Sequence, residues 1–170
     1  HGLEYMSTVY LPEDIPVVAP YVSRFKVASF EAGDTAFVEA HRKYHKPVIV
    51  SCGMNAGSGG THWLHCVSAY PTPIDQINLT RIRDFYDGLS DHTTHPLTGA
   101  LAVAAGAGII EFHMRLHNTS PDNADYLVSR DPTQARLYVE NIRLAETMMG
   151  TGESKVQECE KPMLRYRVKP

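Results

Sequence analysis

The sequence predicts an α/β fold with a parallel sheet, and three observations carry that expectation. Short apolar segments ending in small or polar residues recur along the chain. Helical stretches fall between several of them, as alternating strands and right-handed crossovers require. The interval from Gly88 to His113 reads as strand, loop, helix, strand, which is one complete βαβ unit. That unit leaves His92 and His113 at the C-terminal ends of neighbouring strands, the face where such folds place their chemistry.

The strand candidates are residues 3–8 (LEYMST), 25–29 (FKVAS), 47–53 (PVIVSCG), 63–68 (WLHCVS), a weak 86–90 (YDGLS) and 108–113 (GIIEFH). Between them, residues 12–20 open a short Pro-rich helix and 34–44 form an amphipathic one. Residues 78–85 make another short helix, and 97–107 an apolar one rich in alanine and glycine. After the last strand, Asp131 is the N-cap of a long amphipathic helix reaching about Met149. Pro132 suits its first position, and Gly150 and Gly152 stop it. At typical unit lengths the chain holds about six βα units. Only residues 55–62 (NAGSGGTH) separate the third strand from the fourth, too few for a helix, and Ser58-Gly59-Gly60 makes a flexible loop. Residues 1–150 are expected to form the domain, with 151–170 a polar tail.

The 170 residues suffice for one domain with a real core, and 43% hydrophobic with 21% charged residues is ordinary for a soluble globular protein. A net charge of −3 without any Lys/Arg run argues against nucleic acid or an anionic membrane as partner. No apolar run reaches the roughly 18 residues of a membrane span. The start has neither the basic region nor the long apolar region of a signal peptide. Three cysteines without a CxxC pair predict reduced, buried thiols and a cytoplasmic setting. The chain begins at His1 and enters a strand almost at once, which reads as the interior of a longer protein.

Two neutral imidazoles converging at strand ends can hold a divalent metal with positions left open for substrate oxygens. The plainer reading has each histidine capping its strand through a backbone hydrogen bond. Lys26 inside a strand points the same way as the histidines, because a strand interior rarely hides an unpaired ammonium. A strand-end lysine reaching solvent is its plainer reading. For Glu111 the plainer role is partner to an arginine on a neighbouring helix. Tyr70-Pro71-Thr72-Pro73 reads as a rigid turn carrying a usable hydroxyl. His62, His95 and His117 read as solvated loop residues, His65 as a core histidine, and Met148-Met149 as helix packing.

Seven segments, in this order, resemble the sialic acid synthase family, whose members make N-acetylneuraminate, legionaminate and pseudaminate. They are Tyr5-Met6-Ser7-Thr8, Phe25-Lys26-Val27-Ala28-Ser29, the run from Lys46 to Met54, the run from His65 to Pro73, Gly88-Leu89-Ser90-Asp91-His92-Thr93, Ile110-Glu111-Phe112-His113 and Ser120-Pro121-Asp122. The resemblance implies a (β/α)8 TIM-barrel domain of which this chain supplies the third to eighth strands. It also implies condensation of phosphoenolpyruvate with an N-acetylated amino sugar, releasing phosphate. By the same resemblance, His92 and His113 hold Mn²⁺ or Mg²⁺. Thr8, Lys26, Ser29 and Ser90 match phosphate and carboxylate contacts, while Ser68, Tyr70 and Asp122 match contacts to the sugar. Glu111 matches an acidic residue near the metal. Lys26, Glu111, Tyr70 and Asp122 are the implied catalytic set.

The chain departs from the family in four places. The family's glutamate for the sugar and its second lysine for phosphate lie on its first two strands, and no segment here matches either. The helix between Met54 and Trp63 is missing, as is any counterpart of the C-terminal antifreeze-like domain. Ser68 stands where the family often has asparagine. Two uncovered sheet edges then predict self-association into a homo-oligomer. Beside the synthase, two further readings stand: a non-catalytic binding or assembly module of the same fold, and another metal-dependent barrel aldolase or lyase.

Overall fold

The computed structural model describes residues 2–57 and 59–168; His1 and Ser58, on which two of the expectations above rest, lie outside the described residues. Six strands form one parallel sheet in sequential order: β1 Met6–Thr8, β2 Arg24–Val27, β3 Val48–Cys52, β4 His62–His65, β5 Gly88–Asp91 and β6 Ile109–Phe112. Each strand is three to five residues long, shorter than its apolar segment. The residues just past the paired core leave the ladder and carry polar side chains instead, which is where Ser29, Ser68, His92 and His113 fall.

The connecting helices follow local chemistry. A 3-10 turn at Pro12–Asp14 leads into α1, Ile15–Val18. Helix α2, Thr35–Arg42, is capped by Asp34, whose carboxylate accepts the Phe37 N–H at 3.0 Å. Helix α3, Ile82–Phe85, follows a 3-10 turn, and α4 spans Thr98–Ala104. Helix α5, Pro132–Met149, carries the expected Asp131 cap and Pro132. Gln134 completes a capping box, and Gly150 ends the helix at a φ of 60°. The segment between β3 and β4 holds no helix among its described residues. Of the tail, residues 151–168 stay exposed, with 3-10 turns over Glu158–Tyr166. No helix among the described residues is long and apolar enough to cross a membrane.

Within the strands, alternate residues face opposite ways. Phe25, Val27, Val48, Val50 and Cys52 pack outward against Phe37 and Val38 of α2, all buried. Each such side chain contributes about 1.5–3 kcal/mol of burial. Leu89 and Ile110 pack with Ala102, Ile77 and Ile82 in a second cluster under α4. Cys52 and Cys66 are buried thiols as expected, but Cys159 is exposed, because it sits in the polar tail where nothing packs against it.

The sheet is strongly curved. Lys26 on β2 and Glu111 on β6 are separated by three intervening strands, which in a flat sheet puts their backbones about 19 Å apart. Their charged ends nevertheless lie 3.4 Å apart, and Ser51 of β3 donates to the same Glu111 oxygen at 3.3 Å. Only an arc closing on its own concave face allows that. β1 and β6 are its edges, and they are less buried than the fully enclosed β3.

Candidate active site

The concave face and the strand ends above it collect most of the polar residues singled out in the sequence. Ser90 and Glu111 are partners across the β5–β6 ladder, followed by Asp91 and Phe112. Continued one step further, that register sets His92 opposite His113. Their ring centroids are 5.4 Å apart, with planes inclined at 55°. Gly88 permits this closeness, since a Cβ there would lie 2.0 Å from the Ile109 carbonyl oxygen.

The two imidazoles meet different partners through Nδ1. His92 Nδ1 lies 2.9 Å from the Val67 carbonyl oxygen, which can only accept, so the proton sits on Nδ1 and Nε2 carries a lone pair. The nearest recorded neighbour of that Nε2 is the Ser90 hydroxyl, at 3.5 Å. His113 Nδ1 lies 3.5 Å from the Asp125 carboxylate. Burial lowers the pKa of His92, the Val67 bond opposes that shift, and the neighbouring His113 adds to it. The ring is thereby kept neutral, the form that binds metal. The strand-capping reading of His92 and the ligand reading therefore coexist, because the backbone bond orients the free nitrogen.

Tyr70 covers the pair. Its ring centroid is 4.2 Å from that of His92 and 6.0 Å from that of His113. The turn carrying it is tied down where the Thr72 N–H donates to the His92 carbonyl at 2.9 Å. Burial, chiefly, raises the Tyr70 pKa, so its hydroxyl stays protonated.

Lys26 is 4% exposed, and its ammonium also donates to the Val27 carbonyl at 3.1 Å. The solvent-reaching reading of Lys26 is thus replaced by an ion pair with Glu111. The arginine partner considered for Glu111 gives way to Lys26 and Ser51. Thr8, half-buried at the end of β1, is in register with Lys26. Ser29 and Ser68 share a hydrogen bond of 2.8 Å above Gly53, where a Cβ would come within 2.2 Å of the Ser68 hydroxyl. Asp122 is exposed and accepts from Ser120 within its own turn. The carboxylate that meets His113 is Asp125.

Three groups behind the site escaped the sequence reading. Asp91 is fully buried and accepts from Arg130 Nη2 at 2.8 Å and from the Tyr138 hydroxyl at 2.6 Å. The Arg130 guanidinium lies 3.8 Å from the centre of the Tyr138 ring. Burial and the Asp91 charge push the Tyr138 hydroxyl far above its ordinary pKa. The Arg130 backbone N–H also donates to the His113 carbonyl at 2.9 Å. One residue thus braces both histidine-bearing strand ends. A polar Asp91 flanked by buried residues was the available signal. Of the other histidines, His65 is the expected core residue, bonded to the Ile77 carbonyl at 2.7 Å, and His95 and His117 are exposed as expected; His62, expected in a loop, instead opens strand β4, paired with Ile49 and half-buried, because the short β3–β4 link brings it into the ladder.

His92, through its Nε2 lone pair, and the neighbouring His113 ring are the side chains that could hold a divalent cation here. Among the described residues, no group of three or more His, Cys, Asp or Glu side chains forms a ligand set. A cation held there would take two nitrogen donors from the protein and fill its other positions with water or substrate oxygens, a mixed shell suited to an open site.

An arc of parallel strands with polar chemistry at its C-terminal ends defines a barrel-type α/β protein whose site is built on strand ends. The chain belongs to the NeuB family, whose model matches residues 1–154. It is 32% identical to the N,N'-diacetyllegionaminic acid synthase of Legionella pneumophila, covering 95% of this chain and 52% of that protein. With a pseudaminic acid synthase of Campylobacter jejuni it shares 33% identity over 92% of this chain and 52% of the relative. A solved N-acetylneuraminic acid (sialic acid) synthetase from Leptospira borgpetersenii superposes with a TM-score of 0.81 at 26% identity, covering 94% of this chain and 63% of that one. The arc is accordingly part of a (β/α)8 barrel. The chain spans about half the length of the curated relatives it matches.

Proposed function

We propose that this chain carries the metal and phosphoenolpyruvate face of a nonulosonic acid synthase, which condenses phosphoenolpyruvate with an N-acetylated amino sugar and releases phosphate. The observation that carries the reading is the His92–His113 pair, with His92 held by a backbone bond at Nδ1 and His113 facing Asp125, both beyond Lys26 and Glu111 on the concave side of the sheet. The synthases named among its relatives support a sugar-acid product.

In this reading Lys26 supplies a point charge, and Thr8, Ser29 and Ser90 supply hydroxyl donors, for phosphoryl and carboxylate oxygens. Glu111 holds the Lys26 ammonium in place before substrate arrives and offers a carboxylate for proton transfer. Ser68, Tyr70 and Asp122 serve the sugar side, with Tyr70 shielding the imidazoles from water. The bond between Ser29 and Ser68 joins the two subsites, so both reactants are held close and a bimolecular addition becomes a positioned one. A divalent cation, Mn²⁺ or Mg²⁺, on the two Nε2 atoms supplies Lewis-acid polarisation of the sugar carbonyl. The sheet edges at β1 and β6 support association with further polypeptide, a second copy included, and the reduced thiols support a cytoplasmic setting.

The test is phosphate release. Turnover is expected only with phosphoenolpyruvate, an N-acetylated amino sugar and Mn²⁺ together, and His92→Ala is expected to abolish it. Unchanged turnover in that variant rejects the metal assignment. One observation favours a binding module as the second reading: the buried ammonium of Lys26 is already neutralised by Glu111, leaving little net charge for an anion. That reading gains if calorimetry records phosphoenolpyruvate binding without phosphate release.

A further inference from the structure

We infer that Asp125 is a positioning residue for His113: its carboxylate fixes the imidazole in the tautomer that presents Nε2 to the neighbouring His92. This rests on the reading of the two histidines as a ligand pair and adds to it a residue that the motif comparison passes over.

The geometry is specific. His92 and His113 occupy matching positions just past the ends of β5 and β6, yet they meet different chemistry. His92 Nδ1 meets a neutral backbone carbonyl at 2.9 Å, whereas His113 Nδ1 faces a carboxylate oxygen at 3.5 Å. An imidazole beside a carboxylate keeps its proton on the nitrogen nearest the charge, so Nε2 becomes the lone-pair atom.

The chain holds Asp125 there by two devices. First, the segment leaving His113 folds back onto the same strand edge. Met114 and Arg130 form a parallel bridge, the Arg130 N–H donates to the His113 carbonyl, and the Arg115 N–H donates to the Arg130 carbonyl at 3.0 Å. Second, Asp125 is the pivot of its own turn. Its N–H donates to Asn123 Oδ1 at 3.0 Å, and its carbonyl accepts from the Ser129 N–H at 3.0 Å and the Ser129 hydroxyl at 2.7 Å. Ser129 and Arg130 are both buried, so the turn is pinned from beneath while the carboxylate stays at the site's rim. Asp122, three residues earlier, has no such support and bonds within its exposed turn.

Two measurements on the full chain test the inference. The first needs no metal. Nitrogen-15 NMR of the neutral His113 ring is expected to report the Nδ1–H tautomer in the parent protein. In Asp125→Ala the population shifts toward Nε2–H, and Asp125→Asn, which keeps an acceptor oxygen, restores much of the parent distribution. An unchanged tautomer in Asp125→Ala overturns the proposal.

The second is Mn²⁺ titration followed by electron paramagnetic resonance. Asp125→Ala is expected to weaken binding by about 10–100-fold. Asp125→Asn should recover part of the loss, and Asp125→Ala should add nothing in a His113→Ala background. Parent-like affinity in Asp125→Ala overturns the positioning role. Absence of Mn²⁺ binding by the parent protein overturns the ligand-pair reading, with the tautomer result still deciding whether Asp125 orients the ring.

Discussion

His92 and His113 each follow the last β5–β6 pair, Asp91 and Phe112, and their ring centroids lie 5.4 Å apart, with Nδ1 of one beside the Val67 carbonyl and Nδ1 of the other beside the Asp125 carboxylate. The separation arises from backbone pairing rather than from side-chain reach, because both residues directly follow partnered strand positions. A site built in this way tolerates little change in strand spacing.

Gly88→Ala tests that dependence. The added Cβ would sit 2.0 Å from a backbone oxygen of Ile109, which cannot swing aside as a flexible side chain would. The variant is expected to lose stability toward the upper end of the about 1–3 kcal/mol typical of overpacking. It should also lose Mn²⁺ affinity at temperatures where it remains folded. Urea denaturation and metal titration check both.

The Asp91–Arg130–Tyr138 network should rank among the costlier places to mutate. Arg130→Met leaves the Asp91 carboxylate buried without its cation and is expected to cost about 3–5 kcal/mol. Tyr138→Phe removes one donor to a charged acceptor and is expected to cost about 1.5–3 kcal/mol. Chemical denaturation measures each, and equal losses in the two variants would contradict the ion pair's dominance.

Acid should destabilise the fold through two core histidines. His41 is wedged between Phe25 and Phe37, and its buried Nε2 has no hydrogen-bond partner among the described residues. The same holds for Nδ1 of His65. Burial lowers the pKa of both in the folded state, so the unfolded chain binds more protons as pH falls through the ordinary histidine value near 6.5. Their contribution is therefore fully present above that value and is lost progressively below it. The melting temperature is expected to drop between neutral and mildly acidic pH, and His41→Gln, which does not titrate there, should flatten the drop.

The anion cradle predicts a separation of effects. Lys26→Met should weaken phosphoenolpyruvate binding by at least tenfold while leaving Mn²⁺ affinity close to that of the parent, because the ammonium meets Glu111 rather than the imidazoles. Calorimetry with each ligand separately reads this out, and equal loss of both would mean that the two sites are one.

Much of this was legible in the residues. The alternation of strands and helices, the Asp131 cap, the stop at Gly150 and the short link between β3 and β4 all come from local chemistry, which acts over a few positions. The positions of His92 and His113 followed from one βαβ unit, since a single crossover fixes where its two strands end. Lys26 and Glu111, each a charged residue between apolar neighbours in a strand segment, stood out in the same way.

Tertiary structure decided what meets what. The pairing of Lys26 with Glu111 depends on the curvature of the arc, a property summed over strands that no segment encodes alone. Asp125 rather than Asp122 faces His113 because the chain folds back along β6, and a span of loop residues gives no periodic signal for that return. Arg130 reaches Asp91 across 39 positions of sequence, guided only by the burial that makes an unpaired charge too costly to leave alone. Local rules thus set the elements and the ends of the strands, while long-range packing and the cost of buried charge chose the partners.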